Sequence, residues 1–203
     1  MTQRMPFRAD HVGSLLRPPE LAEARAKVKT GEISAEEGRA AEDVAIRDAV
    51  ALQEAAGLES ITDGEFRRDY WHLDFLSGFD GAELWQAQRT KAFSNDEQPP
   101  MIKIVDKVSR GAPIFVDHFK FLKAATSKTP KITIPGPSLI HLRPGNEAID
   151  PAVYADPDDF WADLCAGYRQ EIADYAAAGC TYLQIDDISY AYLCDDAMCQ
   201  MIR

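Results

Sequence analysis

Short apolar stretches that end in polar or Gly/Pro-rich loops alternate with helical periodicities along this chain, and that alternation constrains its fold more than any other feature. The first stretch, around Phe7 to Leu16, runs into Gly13-Ser14 and then Arg17-Pro18-Pro19, which predicts a strand entering a loop. A helix is expected over residues 19–30, with Pro19 in its first turn and Gly31 near its stop. Ser34-Ala35-Glu36-Glu37 has the spacing of a capping box. It opens a second helix to about Ala56, with Val44, Ala51, Leu52 and Ala55 on one face and Gly57 as its stop. Leu58 to Thr62 predicts a strand that Asp63-Gly64-Glu65 breaks. Tyr70 to Phe79 is aromatic-rich and fits a helix or a lid-like loop, while Met101 to Val116 resembles an inserted hairpin and residues 117–127 begin a helix. Lys131 to Ile134 predicts a strand ended by Pro135-Gly136-Pro137-Ser138. Beyond Asp156, Phe160, Leu164, Tyr168, Ile172 and Tyr175 recur at helical spacing up to a stop at Gly179. Cys180 to Ile185 is the fourth expected strand, with Asp186-Asp187 at its end.

Alternating units of this kind require right-handed crossovers and a parallel sheet, and such sheets bind ligands at the carboxyl ends of their strands. The four expected strands are followed by Ser14, Glu65, Ser138 and Asp186. No G-x-G-x-x-G or Walker loop follows any of them, so a (β/α)8 TIM barrel fits better than a nucleotide-binding doubly wound domain. A barrel typically needs about 250 residues. Four strands therefore amount to about the first four βα units. Residues 1–203 read as the N-terminal half of a single barrel with a hairpin-like insertion around 78–130, and DDAMCQMIR as the start of a helix cut off mid-turn.

Charge and cysteine usage narrow the function classes. With 33 acidic and 22 basic residues the chain carries a formal charge of −11, unsuited to a phosphate backbone. No run of 18 apolar residues and no secretory signal occur, so a cytoplasmic location is expected, without membrane or nucleic-acid partners. Cys165, Cys180, Cys194 and Cys199 are then expected as reduced thiols, buried as small hydrophobes rather than gathered on zinc. His11, His72, His118 and His141 have no metal-ligand spacing.

Glu65 and Asp186 are the leading functional pair. Carboxylates at strand ends hold an ammonium group, bind a metal or act as acid and base; a glycosidase pair and simple helix-capping or Arg-pairing roles also fit. Ser14, after Gly13, can offer its hydroxyl and backbone N–H to a carboxylate, or serve as a turn serine. For His11, beside that loop, ligand contact and a structural role are both open. Trp71 and Phe75 fit a pocket wall or a core.

Taken in order, DHVGSLLRP, TDGEFRRDYWHLDFLSGFDG, ITIPGPSLIH and YLQIDDISYAYL resemble the cobalamin-independent methionine synthase superfamily, in particular its short single-barrel members. The resemblance implies a barrel of the methionine synthase/uroporphyrinogen decarboxylase type. It further implies a zinc-dependent S-methyltransferase like the 5-methyltetrahydropteroyltriglutamate–homocysteine enzyme of methionine biosynthesis, moving a methyl group to a homocysteine thiolate. By the same resemblance Ser14 matches the serine that holds the amino acid's carboxylate, and Glu65 and Asp186 match the acidic pair on its ammonium group. The family's zinc ligands, a His-x-Cys pair, a Glu and a later Cys, are expected beyond residue 203, so no residue here is assigned to zinc and this stretch alone is expected to be inactive. Ile188, where the family commonly has proline, and the PGPS loop leave the subgroup open. By the same resemblance the long enzyme's N-terminal barrel is not expected here, which leaves the donor open between methyl-folate and another methyl donor. The alternatives are a related barrel enzyme acting on another thiol, a uroporphyrinogen decarboxylase-like enzyme, and a non-catalytic half-barrel that self-associates through open edges.

Overall fold

The computed structural model describes residues 9–86, 100–142 and 145–202. Helix α1 (Pro19–Thr30) begins with proline in its first turn, where the missing N–H costs nothing, and ends at Gly31 in the left-handed conformation. Helix α2 (Ala35–Ala55) starts on a complete capping box. The Ser34 hydroxyl accepts the Glu37 N–H at 3.1 Å and the Glu37 carboxylate accepts the Ser34 N–H at 2.8 Å. Ser34→Ala is expected to lower stability by about 1 kcal/mol. Urea unfolding checks it, and an unchanged midpoint would mean that the box contributes nothing to the folded unit.

The inner face of α2 is not the expected one. Val44 and Leu52 are 57% and 68% exposed, whereas Ala45, Ile46, Ala49, Val50 and Gln53 are buried. Apolar residues occur on both sides of this alanine-rich helix, so its pattern could not choose. The choice is made by Leu21, Ile61, Phe66 and Leu122, which pack with Ala45, Ile46, Ala49 and Val50 into one core cluster.

The chain continues through β1 (Ser60–Ile61), α3 (Leu73–Leu76), β2 (Asp80–Trp85), β3 (Met101–Ser109), α4 (Val116–Ala125), β4 (Thr129–Pro135), α5 (Leu139–Leu142), α6 (Pro157–Ala177), β5 (Tyr182–Asp186) and α7 (Asp196–Ile202). Short 3-10 helices lie at Gly145–Ala148 and Ile188–Cys194. Strands β1, β4 and β5 form a sheet in the order β1-β4-β5, in which β1 runs parallel to β4 with Ser60 opposite Thr129. Strands β2 and β3 form a separate antiparallel pair. Met101 to Val116 is thus not a hairpin by itself: β3 pairs with β2, and residues 110–115 lead from β3 into α4.

Residues 7–16 do not supply the expected strand: their described part makes one parallel bridge, Ser14 to Gly64. A ladder is replaced there by side chains. The carbonyls of His11, Val12 and Gly13 accept from Lys131 Nζ, Gln184 Nε2 and Thr62 Oγ1 in turn. Three successive carbonyls thus take side-chain donors where a ladder would give them backbone N–H groups.

Two compact units share the chain. The first comprises Met1–Arg68, Asp117–Thr133 and Ala178–Gln184, and the second Asp69–Val116, Ile134–Ala177 and Ile185–Arg203. The first is built on the cluster around α2. The second is built on aromatic rings: Phe75 contacts Phe79, Phe115 and Tyr168 at centroid distances of 5.4–5.7 Å, and the Tyr168 hydroxyl donates to the Pro135 carbonyl. Phe75 is therefore core rather than pocket wall. On α6 the expected Phe160, Leu164, Tyr168 and Tyr175 are buried, but Ile172 is 36% exposed and the neighbouring Glu171 is fully buried instead. The four cysteines form no disulfide; Cys194 is exposed and the others half-buried, so none is the buried hydrophobe expected. Among the described residues no helix is long and apolar enough to cross a membrane.

Candidate functional site

Glu65 follows β1 in a turn whose backbone is unusual. Gly64 has φ +67°, and Glu65 itself has φ +59°, the only described non-glycine residue in the left-handed region. For a residue with a Cβ that conformation costs roughly 1–2 kcal/mol. The turn is held from both ends: Asp63 Oδ1 accepts the Glu65 N–H at 2.9 Å, and the Glu65 carbonyl accepts the Arg68 N–H at 3.1 Å. The side chain is 6% exposed. Its Oε1 accepts the Thr133 hydroxyl at 2.6 Å and lies 3.4 Å from Arg68 Nη1. Among the described residues both partners fall on Oε1, and Oε2 has none.

The segment before Ser14 reaches the same place. A Cβ on Gly13 would stand 2.6 Å from Thr133 Cγ2 and 3.4 Å from Glu65 Oε1, and Gly13 has φ +144°, so only glycine lets the backbone pass. Ser14 itself is exposed, and the Leu15 N–H donates to the Gly64 carbonyl at 3.1 Å. Hydroxyl and carboxylate are thus carried on two segments bridged at Ser14 and Gly64.

His11 lies behind this loop. Its Nε2 is 2.9 Å from Gln53 Oε1, which also accepts the Thr62 N–H, while Gln53 Nε2 donates to the Ala49 and Thr62 carbonyls. An amide oxygen only accepts, so His11 carries its proton on Nε2. Below, Asp10 accepts from Ser60 Oγ, Tyr182 Oη and Lys131 Nζ. Burial pushes its pKa up, but hydrogen bonds from Ser60, Tyr182 and Lys131 outweigh that and hold the carboxyl well below the usual carboxylate range.

His118 of α4 also belongs to this unit. Burial pushes its imidazole down to about 4; Asp63 opposes the shift, and Arg39, Arg67 and Arg68 add to it. The folded value lies below the unfolded one, so the unfolded chain binds more protons as pH falls from about 6.5 toward 4, and stability drops across that window. The loss attributable to His118 is expected to reach roughly 2 kcal/mol at pH 5. Urea midpoints at pH 7 and 5 should converge in His118→Gln; an equal drop in variant and wild type would assign the acid sensitivity elsewhere.

In the second unit, the loop after β4 is laid on the end of β5. The Gly136 N–H donates to the Asp186 carbonyl at 2.8 Å and the Ser138 hydroxyl donates to Asp187 Oδ1 at 2.7 Å. A Cβ on Gly136 would stand 2.8 Å from Asp187 Cγ. Asp186 ends β5 and its residue is half-buried. Ser14, Glu65 and His11 thus come together in the first unit, and Asp186 stands in the second.

Thr133 escaped sequence reasoning, although its signal is visible. In Lys131-Ile132-Thr133-Ile134 polar and apolar residues alternate, and both polar members are buried. A strand with a buried polar face needs partners for it; here they are Asp10 and Glu65. Among the described residues no group of three or more His, Cys, Asp and Glu side chains is placed to hold a metal ion.

The ends of parallel strands are where α/β folds place their ligands, and the fold by itself names no activity. The comparisons narrow the choice. The family described as cobalamin-independent synthase, catalytic domain, matches residues 7–194, and the chain belongs to that family. It is 37% identical to the uncharacterized protein YxjH of Bacillus subtilis strain 168 over 203 residues, covering 99% of this chain and 53% of that protein. It is 32% identical to a methionine synthase of Sulfurisphaera tokodaii over 177 residues, covering 87% of this chain and 50% of the relative. Among solved structures, a Listeria monocytogenes protein assigned as a vitamin-B12-independent methionine synthase superposes with a TM-score of 0.78 at 40% identity, over 94% of this chain and 55% of that one. The chain spans about half the length of the curated relatives it matches.

Proposed function

We propose that this chain carries the amino-acid-binding part of a methyltransferase of the methionine synthase type, with homocysteine as acceptor and methyl-folate or another methyl donor. The observation that supports this best is the Glu65 carboxylate. It is buried, kept in a strained turn, tied among the described residues through Oε1, and next to the Gly13-Ser14 loop. In this reading Oε2 of Glu65 takes the ammonium group and the Ser14 hydroxyl and N–H take the carboxylate, while Asp186 keeps the role that the family resemblance gives it. His11 supports the loop through Gln53. A zwitterion gripped at both ends leaves only its side chain free to meet the donor, which is catalysis by positioning.

We read the sheet, together with the Ser14 segment, as about four βα units of a (β/α)8 barrel. Residues 1–203 would be its N-terminal half, and the β2–β3 pair an insertion within 78–130. Self-association through open sheet edges and a cytoplasmic location belong to the same proposal. Zinc on the thiol, with its ligands beyond residue 203, belongs to the same proposal; among the described residues no His, Cys, Asp and Glu cluster is placed to hold it.

L-Methionine, the product, tests the reading. Calorimetric titration is expected to show binding that Ser14→Ala weakens about three- to tenfold and Asp186→Asn weakens further. Binding unaffected by either change would move the assignment to the decarboxylase-like alternative.

A further inference from the structure

We propose that Thr133 is a positioning residue for the amino-acid site: its hydroxyl commits one oxygen of Glu65 so that the other is presented to the ligand's ammonium group. This rests on the reading of Glu65 given above and adds a residue to it. Thr133 is 2% exposed, on β4. Its Oγ1 lies 3.2 Å from Arg68 Nη2 and 2.6 Å from Glu65 Oε1. A guanidinium only donates, so the Arg68 N–H takes a lone pair of the hydroxyl, and the single hydroxyl proton is left for Glu65. The relay therefore has one direction, from Arg68 through Thr133 to Oε1.

Two further features isolate the hydroxyl's role. Arg68 Nη2 also donates to the Thr133 backbone carbonyl at 2.7 Å, so the guanidinium stays anchored when the hydroxyl is removed. The Thr133 methyl group packs where a Cβ of Gly13 would fall, so a substitution must keep the branched shape to leave the Ser14 segment in place. Thr133→Val keeps that shape and deletes the hydroxyl's two hydrogen bonds, the one from Arg68 and the one to Glu65. The Glu65 side chain then keeps its charge and, on Oε1, only the longer 3.4 Å contact with Arg68, which aims it less well.

The test compares L-methionine with 4-(methylthio)butanoate, which lacks only the amino group, by calorimetry on wild type, Thr133→Val and Thr133→Ser. Wild type is expected to favour methionine, Thr133→Val to reduce that preference about tenfold, and Thr133→Ser to restore it. Thr133→Ala carries the same comparison if the valine variant does not fold. A preference kept in Thr133→Val, or an equal loss of both ligands, overturns the role of Thr133 while the amino-acid site stands. No preference in wild type overturns the reading of Glu65 itself, and the positioning role with it.

Discussion

Glu65→Gln is expected to weaken L-methionine binding by about a hundredfold while the protein stays folded. Glutamine has nearly the same shape, keeps an oxygen for the Thr133 hydroxyl and bears the same left-handed backbone cost. What it lacks is the negative charge, and it turns a donor toward a ligand group that also donates. An ammonium ion facing an amide N–H loses the attraction and gains a repulsion, so the effect exceeds that of a neutral hydrogen bond. Calorimetry measures it, with circular dichroism to show that the fold is retained. Binding within about threefold of wild type would remove Glu65 from the site.

The largest expected effect on stability lies in the second unit, at Glu171. This carboxylate is fully buried. Its Oε2 accepts Arg110 Nε at 2.6 Å, and Oε1 accepts the Phe115 N–H at 3.0 Å, with the Ile114 N–H shared between the oxygens. Arg110 also pairs with Asp174. One side chain of α6 thus ties down the whole connection from β3 to α4. Glu171→Gln leaves Arg110 without its buried counter-charge and points an amide N–H at a backbone or guanidinium donor. The expected cost is about 3–5 kcal/mol, the range for breaking one member of a buried pair. Urea unfolding measures it; a loss under 1 kcal/mol would show that Asp174 alone suffices to neutralise Arg110.

Helices were legible where local chemistry decides them. Pro19 and Gly31 bracket α1, and the Ser34–Glu37 box starts α2, because caps act within one turn of the backbone. The two strands ending in Pro135 and Asp186 were legible as apolar runs closed by loop residues. Which face of a helix turns inward was less so. Val44 and Leu52 looked as suitable as Ile46 and Val50, and Ile172 more suitable than Glu171, because hydropathy ignores which partner awaits on each side. The Phe7–Leu16 stretch misled for a related reason. Its apolar residues suited a strand, but Lys131, Gln184 and Thr62 reach its carbonyls from far along the chain.

The candidate site divides in the same way. Ser14, Glu65 and Asp186 stand out in the sequence because polar residues directly after apolar strands have few structural reasons to be there, and family resemblance gives them roles. The sequence by itself thus determined the alternation of elements, the helix starts and stops, the family, and the polar residues that close its strands. Tertiary structure alone decided that Glu65 adopts a left-handed backbone, that Thr133 and Arg68 share one of its oxygens, and that His11 faces Gln53. The His11–Gln53 and Thr133–Glu65 contacts join residues 42 and 68 positions apart, a separation at which no local periodicity survives and only packing brings the partners together.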